Sequence, residues 1–145
     1  MKVVLQEQKE YEFTYKLEAQ IGHLNYSGHI GHDAVIAMVW EARVHLFRLL
    51  GLTELDLGDG ETGIIMSDLV VTFKEEAFLF EEVTVESHVG EISGTRFRLF
   101  HRISKAGRPI ALMETGFAAF NYNRRKTAPI PKTFLKALEE YKGSR

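Results

Sequence analysis

Apolar and polar residues alternate over positions 11–17. Tyr11, Phe13, Tyr15 and Leu17 fall on one face, a period of two that predicts a half-buried strand. Residues 21–32 are rich in Gly, His, Asn and Ser and read as a loop. The spacing then changes. From Asp33 the chain runs through Ala34, Val35, Ala37, Met38, Val39, Trp40, Ala42, Val44, Leu46, Phe47, Leu49 and Leu50 before Gly51 supplies a helix-ending C′ residue. Within it Glu41, His45 and Arg48 lie at i, i+4 and i+7, one narrow polar stripe, with Arg43 off it. A helix with so little polar surface is expected to be buried on most sides.

Beyond Gly58-Asp59-Gly60 the period returns to two. Segments 63–74, 83–90, 95–104 and 110–122, rich in Val, Ile, Thr and Phe, predict four consecutive strands. In the third, Phe97, Leu99, His101 and Ile103 share one face, and Arg96, Arg98 and Arg102 share the other with Phe100. Residues 91–94 and 105–109 carry Gly or Pro and suit turns between antiparallel neighbours. Pro131 can open a last short helix with Phe134, Leu138 and Tyr141 on one face. A strand, a long apolar helix and then a run of strands predict an α+β fold with an antiparallel sheet, not alternating βαβ units. A curled sheet of about five strands around one central helix explains why that helix is apolar nearly all round.

The chain has 145 residues, no repeat and no linker-like stretch, so one domain over 1–145 is expected. The net charge of −2 argues against binding nucleic acid through its phosphates. With no cysteine there is no disulfide framework, thiolate nucleophile or Cys-type zinc site, which fits a cytoplasmic protein. Residues 1–10 are polar and unlike a signal peptide, and no apolar run reaches the roughly 18–20 residues that span a bilayer. A soluble protein is expected, without membrane or nucleic-acid partners.

The chemistry concentrates in Asn25-Tyr26-Ser27-Gly28-His29-Ile30-Gly31-His32-Asp33, which runs straight into the helix. Free backbone N–H groups and the positive end of the helix dipole can stabilise an oxyanion there. Gly28 and Gly31 would let a substrate carbonyl approach the main chain. His29, His32 and Asp33 supply acid, base or nucleophile candidates within a few residues.

This stretch resembles the 4-hydroxybenzoyl-CoA thioesterase-like branch of the hotdog superfamily. Gly28-His29 matches that family's Gly-His, Ile30 its Val, and Glu41-Ala42-Arg43 its helix ending. Asp68, Phe73 and Glu76-Ala77-Phe78 look like its central strand and turn; Phe120-Asn121-Tyr122, Arg124-Arg125-Lys126 and Pro129-Ile130-Pro131 look like its C-terminal region. The resemblance implies a hotdog fold, hydrolysis of an acyl-CoA or acyl carrier protein thioester, no metal or organic cofactor, and sites between the subunits of a homodimer or homotetramer. Two positions depart from the pattern. The family's catalytic Asp falls at Asn25, and its Asn-Asn pair at Gly31-His32. An amide cannot serve as base or nucleophile. Either Asp33 has taken over the carboxylate's role, the reading preferred here, or hydrolysis has been lost. A non-hydrolytic acyl-CoA binder and a hotdog hydratase or dehydratase are the rivals.

The candidate catalytic residues are therefore Asp33, Asn25, His29 and His32, and the candidate substrate-binding residues Gly28, Gly31, Asp68 and Glu41. Each has a plainer reading. Asp33 can complement the helix dipole, Asn25 can hold a turn, and either histidine can bond the loop backbone. Glu41 and Arg43 can form structural ion pairs, and Asp68 can bond a neighbouring loop. His23, His29 and His32 suggest a metal only weakly, since no carboxylate spacing accompanies them.

Overall fold

The long helix, α1 (His32–Leu49), lies between two glycines: Gly31 is its N-cap, and Gly51, at φ 73°, turns the chain away. The computed structural model, which describes all 145 residues, packs α1 against one antiparallel sheet. Its strands are β1 (Phe13–Glu18), β2 (Thr62–Phe73), β3 (Glu82–Ser93), β4 (Arg96–Lys105) and β5 (Arg108–Asn121), in the order β1-β3-β4-β5-β2. A two-residue β6 (Lys126–Thr127) beside β5 adds a strand that no periodicity could announce. Helix α2 (Lys132–Gly143) follows Pro131. The expected α+β hotdog architecture is present, a curled sheet wrapped on one helix.

The core divides along α1. Its N-terminal half, through Ala34, Val35 and Met38, packs against Val83, Val85 and Ile103. Its C-terminal half, through Leu46 and Phe47, meets Phe97, Phe117 and Phe134. The face assignment in β4 holds: Phe97, Leu99, His101 and Ile103 are buried beneath the helix. The arginines on the other face are not simply solvated. Arg98 pairs with Asp68 and Glu114, and Arg102 with Glu7 and Glu86.

The helix is not covered on most sides. Ala37, Trp40 and Val44 are exposed, Trp40 by 56% and Val44 by 48%. A single sheet reaches only one side of a helix, and nothing in the chain covers the other. Edge strand β2 adds Ile65, Met66 and Phe73 to the exposed apolar surface. Arg43, off the polar stripe, is buried; its guanidinium pairs with Glu54 and lies 4.9 Å from the centre of the Phe117 ring.

His101 is a polar residue in an apolar layer, only 1% exposed, with Nδ1 2.8 Å from Ser87 Oγ. Burial, with the charge of Arg43 adding to it, pushes its imidazole down to about 3. The unfolded chain takes this proton near pH 6.5, whereas the folded one refuses it until about 3. Neutral His101 therefore favours the fold fully above pH 6.5, and that contribution is lost as pH falls toward 3, by up to ~1.4 kcal/mol per pH unit. Urea denaturation at pH 7 and pH 5 should show His101→Gln losing about one proton's worth of this slope relative to wild type. Equal slopes would mean that His101 titrates normally in the fold.

Candidate active site

The loop before α1 is closed by its own polar groups. Asn25 Oδ1 accepts from the Ser27 and His29 N–H groups, at 3.0 and 3.4 Å, while the Asn25 N–H donates to the His29 carbonyl at 2.8 Å. Gly28, at φ 83°, makes the turn and donates to the Asn25 carbonyl. Ile30 N–H donates to Ala77 O at 2.8 Å, docking the loop on the turn after β2. Asn25 thus holds the turn, the plainer of its two readings.

The main-chain donors sort themselves. The N–H groups of Gly28, His29, Ile30 and Gly31 all have partners, Gly31 donating to the His23 carbonyl at 3.0 Å. Those of His32, Asp33 and Ala34 donate to nothing in the protein. They form the first turn of α1, where donors lack an intrahelical acceptor and the dipole is positive. The free donors of the candidate oxyanion site begin at His32, the residue after Gly31.

Asp33 stands on that same turn. Its carboxylate makes no hydrogen bond, neither to an N-cap donor nor to an arginine. Gly31 explains itself here. A Cβ at position 31 would sit 2.6 Å from Asp33 Oδ1 and 3.3 Å from Asn25 Cβ, so glycine leaves room for both side chains. The requirement for Gly31 is close packing against Asp33.

Two cavities flank this turn. The larger, about 390 Å³, is lined by Asn25, His29 and His32 and, across from them, Phe73, Lys74 and Glu76. The second, about 260 Å³, lies between α1 and β2, with Asp33, Trp40, Arg43, Met66 and Thr115 among its walls. The four candidate catalytic residues are thus neighbours in space but divided: three face one cavity, and Asp33 faces the other. His29 has Nδ1 3.2 Å from the Ile30 carbonyl and Nε2 3.7 Å from Glu76 Oε1. A proton on Nδ1 donated to that carbonyl leaves Nε2 with its lone pair available.

Asp68 and Glu41 line neither cavity. At Ser67 a bulge interrupts the pairing of β2 with β5 and shifts the alternation, so Met66 and Leu69 both face α1. The Asp68 carboxylate lies against Arg98, at 3.1 and 2.6 Å, over Gly116, where a Cβ would come within 2.0 Å of Asp68 Oδ1. Arg98, with Ser67 assisting, holds that carboxyl below its ordinary range. Glu41 accepts the Tyr15 hydroxyl at 2.7 Å on the exposed side of α1. Both carboxylates bond protein partners away from the helix N-terminus, Asp68 to Arg98 and Glu41 to Tyr15. Glu76 entered the sequence reading only as part of a turn, with no place beside His29. The contact between Ile30 and Ala77 brings Glu76 to His29, and no local spacing marks such a long-range contact.

A two-layer helix-on-sheet subunit with free donors and an unbonded carboxylate at one helix N-terminus defines a hotdog protein with acyl-transfer geometry. The chain belongs to the thioesterase-like superfamily, whose sequence profile matches residues 19–138. Solved structures share the fold at low identity. A 1,4-dihydroxy-2-naphthoyl-CoA thioesterase from Synechocystis superposes with a TM-score of 0.79 at 20% identity, over 88% of this chain and 96% of that one. A gentisyl-coenzyme A thioesterase gives 0.75 at 22% identity, over 86% and 98%. A Staphylococcus aureus protein solved in complex with CoA gives 0.82 at 15% identity, over 98% and 90%. No curated protein matches significantly in sequence. No helix is long and apolar enough to cross a membrane.

Proposed function

We propose that the protein hydrolyses acyl-CoA thioesters, with Asp33 as the working carboxylate. One observation carries this reading: Asp33 is free of hydrogen bonds on the same helical turn that offers the unpartnered N–H groups of His32, Asp33 and Ala34. A thioester carbonyl accepting from that turn becomes more electrophilic, and its oxygen gathers negative charge where the dipole is positive. Asp33 takes a proton from water as the water oxygen bonds to the carbonyl carbon. The tetrahedral intermediate then collapses, the C–S bond breaks, and the thiolate leaves to be protonated. The proton that Asp33 took from water returns to the departing sulfur, and His29 and His32, on the side of the larger cavity, can relay it by taking it up at a ring nitrogen lone pair and passing it on. Asn25 keeps the loop in place. The reaction as drawn uses no metal and no organic cofactor.

The protein works as a homodimer in this proposal. The uncovered apolar line of Ala37, Trp40 and Val44 lies near the unpaired edge of β2, and a second copy would bury both at once. The CoA moiety would then enter along the seam. Static light scattering should return twice the chain mass of 16.5 kDa.

The test is free-thiol release from a panel of saturated, aromatic and α,β-unsaturated acyl-CoAs. Thiol release well above the uncatalysed rate is expected for at least one saturated or aromatic member. Hydration of the unsaturated member without thiol release would assign a hydratase instead. Binding of CoA esters with no turnover would leave an acyl-CoA binder.

A further inference from the structure

Lys105, the last residue of β4, has a side chain only 8% exposed and takes no part in the proposed hydrolysis. Lysine is rarely buried unless its ammonium is paired. Here Nζ donates to Glu81 Oε1 at 3.3 Å, lies 3.9 Å from Glu75 Oε1 and stands 5.2 Å from the centre of the Phe78 ring. All three partners belong to the segment between β2 and β3 or its junction with β3. Arg108, across the β4–β5 turn, adds a second grip on Glu75 at 3.1 Å, and Glu81 Oε1 also accepts the Phe78 N–H at 2.8 Å. The segment so held is strained: Phe80 sits at φ 64°, although it is 63% exposed. A bulky residue keeps that conformation only where surrounding contacts impose it, and such positions gather at functional sites.

What this segment presents to the larger cavity is Glu76. The Ala77 carbonyl accepts the Ile30 N–H at 2.8 Å, which docks the segment on the loop before α1, and Glu76 Oε1 lies 3.7 Å from His29 Nε2. We propose that Glu76 is the counter-charge for the imidazolium that His29 becomes as it relays the proton, and that Lys105 is the positioning residue that fixes Glu76 there. The proposal rests on the thioesterase reading, because the relay through His29 is what creates that charge. With its Nδ1–H on the Ile30 carbonyl, His29 takes up the proton at Nε2, the nitrogen nearer Glu76. Passing the proton on to sulfur restores the neutral ring. Between those two transfers the imidazolium is the charged point of the route, and a carboxylate 3.7 Å away lowers its energy. The gain is modest, because the Glu76 side chain is 63% exposed. Lys105 neither lines the cavity nor bonds His29, so its influence passes through the segment it clamps.

The experiment measures kcat and KM for thiol release from an acyl-CoA, with a melting curve for every variant. Glu76→Gln and Lys105→Met are compared alone, together, and each in a His29→Gln background. Glu76 is exposed, so its substitution leaves the fold intact; Lys105→Met keeps most of the buried stem and removes the ammonium. Each single variant should lower kcat about three- to fivefold, the reach of a mostly exposed ion pair, with KM little changed. The two together should lose no more than Glu76→Gln alone, and in His29→Gln neither should cost more than about a further twofold, because all three act in one line. Lys105→Arg keeps the charge and should retain at least about half of the wild-type kcat. Should Lys105→Met fail to fold, Glu81→Gln loosens the same grip from a more exposed position and takes its place in every comparison. An unchanged kcat in Glu76→Gln, losses that multiply in the pair, or losses that persist at full size in His29→Gln would each overturn the proposal while leaving the thioesterase reading in place. No thiol release by wild type from any acyl-CoA would overturn both.

Discussion

Asp33→Asn is expected to lower kcat for thioester hydrolysis by about 10²–10⁴-fold, the usual contribution of a positioned general base. The substitution keeps size and polarity and removes only the ability to take a proton. Asp33 is well suited to report this, because its carboxylate bonds to no other group whose loss would confuse the result. Losing a first-turn negative charge should cost stability only about 0.3–1 kcal/mol through the helix dipole. A large fall in kcat with a nearly unchanged melting temperature is therefore the signature of catalysis. The opposite pattern, a small loss of stability with kcat within twofold of wild type, would return Asp33 to a dipole-complementing role. Gly31→Ala offers a graded companion: its Cβ would press on Asp33 Oδ1, displacing the carboxylate without removing it.

The fold was legible because most of its elements carry their own period. Strands and helix alternate at 2 and 3.6 residues, and α1 and β2–β5 fall within a few residues of the predicted segments. What periodicity missed was contact between distant segments. It could not show that Arg98 reaches across β5 to Asp68 above Gly116, an ion pair that no spacing announces. Nor could it show that α1 is covered on one side only, because an apolar residue such as Trp40 has the same spacing whether its own sheet or a second chain buries it. In the site, the loop residues were legible as a group, since glycines and histidines ahead of an apolar helix are conspicuous. Their division between two cavities depends on the direction of the first helical turn, which no residue type specifies. The free donors of His32, Asp33 and Ala34 follow from helix geometry. That Gly31 N–H is already taken by His23 depends on the 3₁₀ turn (Ile21–His23), which the sequence offered only as loop.

The second large effect lies at the other end of α1 and should leave the chemistry alone. Phe134→Ala is expected to destabilise the fold by about 3–5 kcal/mol, the range for emptying a buried aromatic site. Phe134 is fully buried; its ring meets Phe97 edge-on with centroids 5.3 Å apart and Phe47 at 5.9 Å. Through it α2 closes the C-terminal half of the core, with Tyr141 stacked on Phe13 at 4.6 Å and Thr133 Oγ1 donating to Leu57 O at 2.7 Å. Leu138, Tyr141 and Thr133 still hold α2 in place, so little collapse of the cavity left by the ring is expected, and the loss should fall toward the upper end. For a chain of this length that corresponds to a melting temperature lower by about 15 °C. The N-terminal half of α1, which carries Asp33 and the free donors, packs in the separate cluster of Ala34, Val35 and Met38 and does not rest on Phe134. Measured well below the new transition, kcat per folded molecule should therefore stay within about twofold of wild type, since sites without shared partners are nearly independent. A kcat that fell with stability would show that α2 and the helix N-terminus form one cooperative unit, with the two halves of the core coupled through α1 itself.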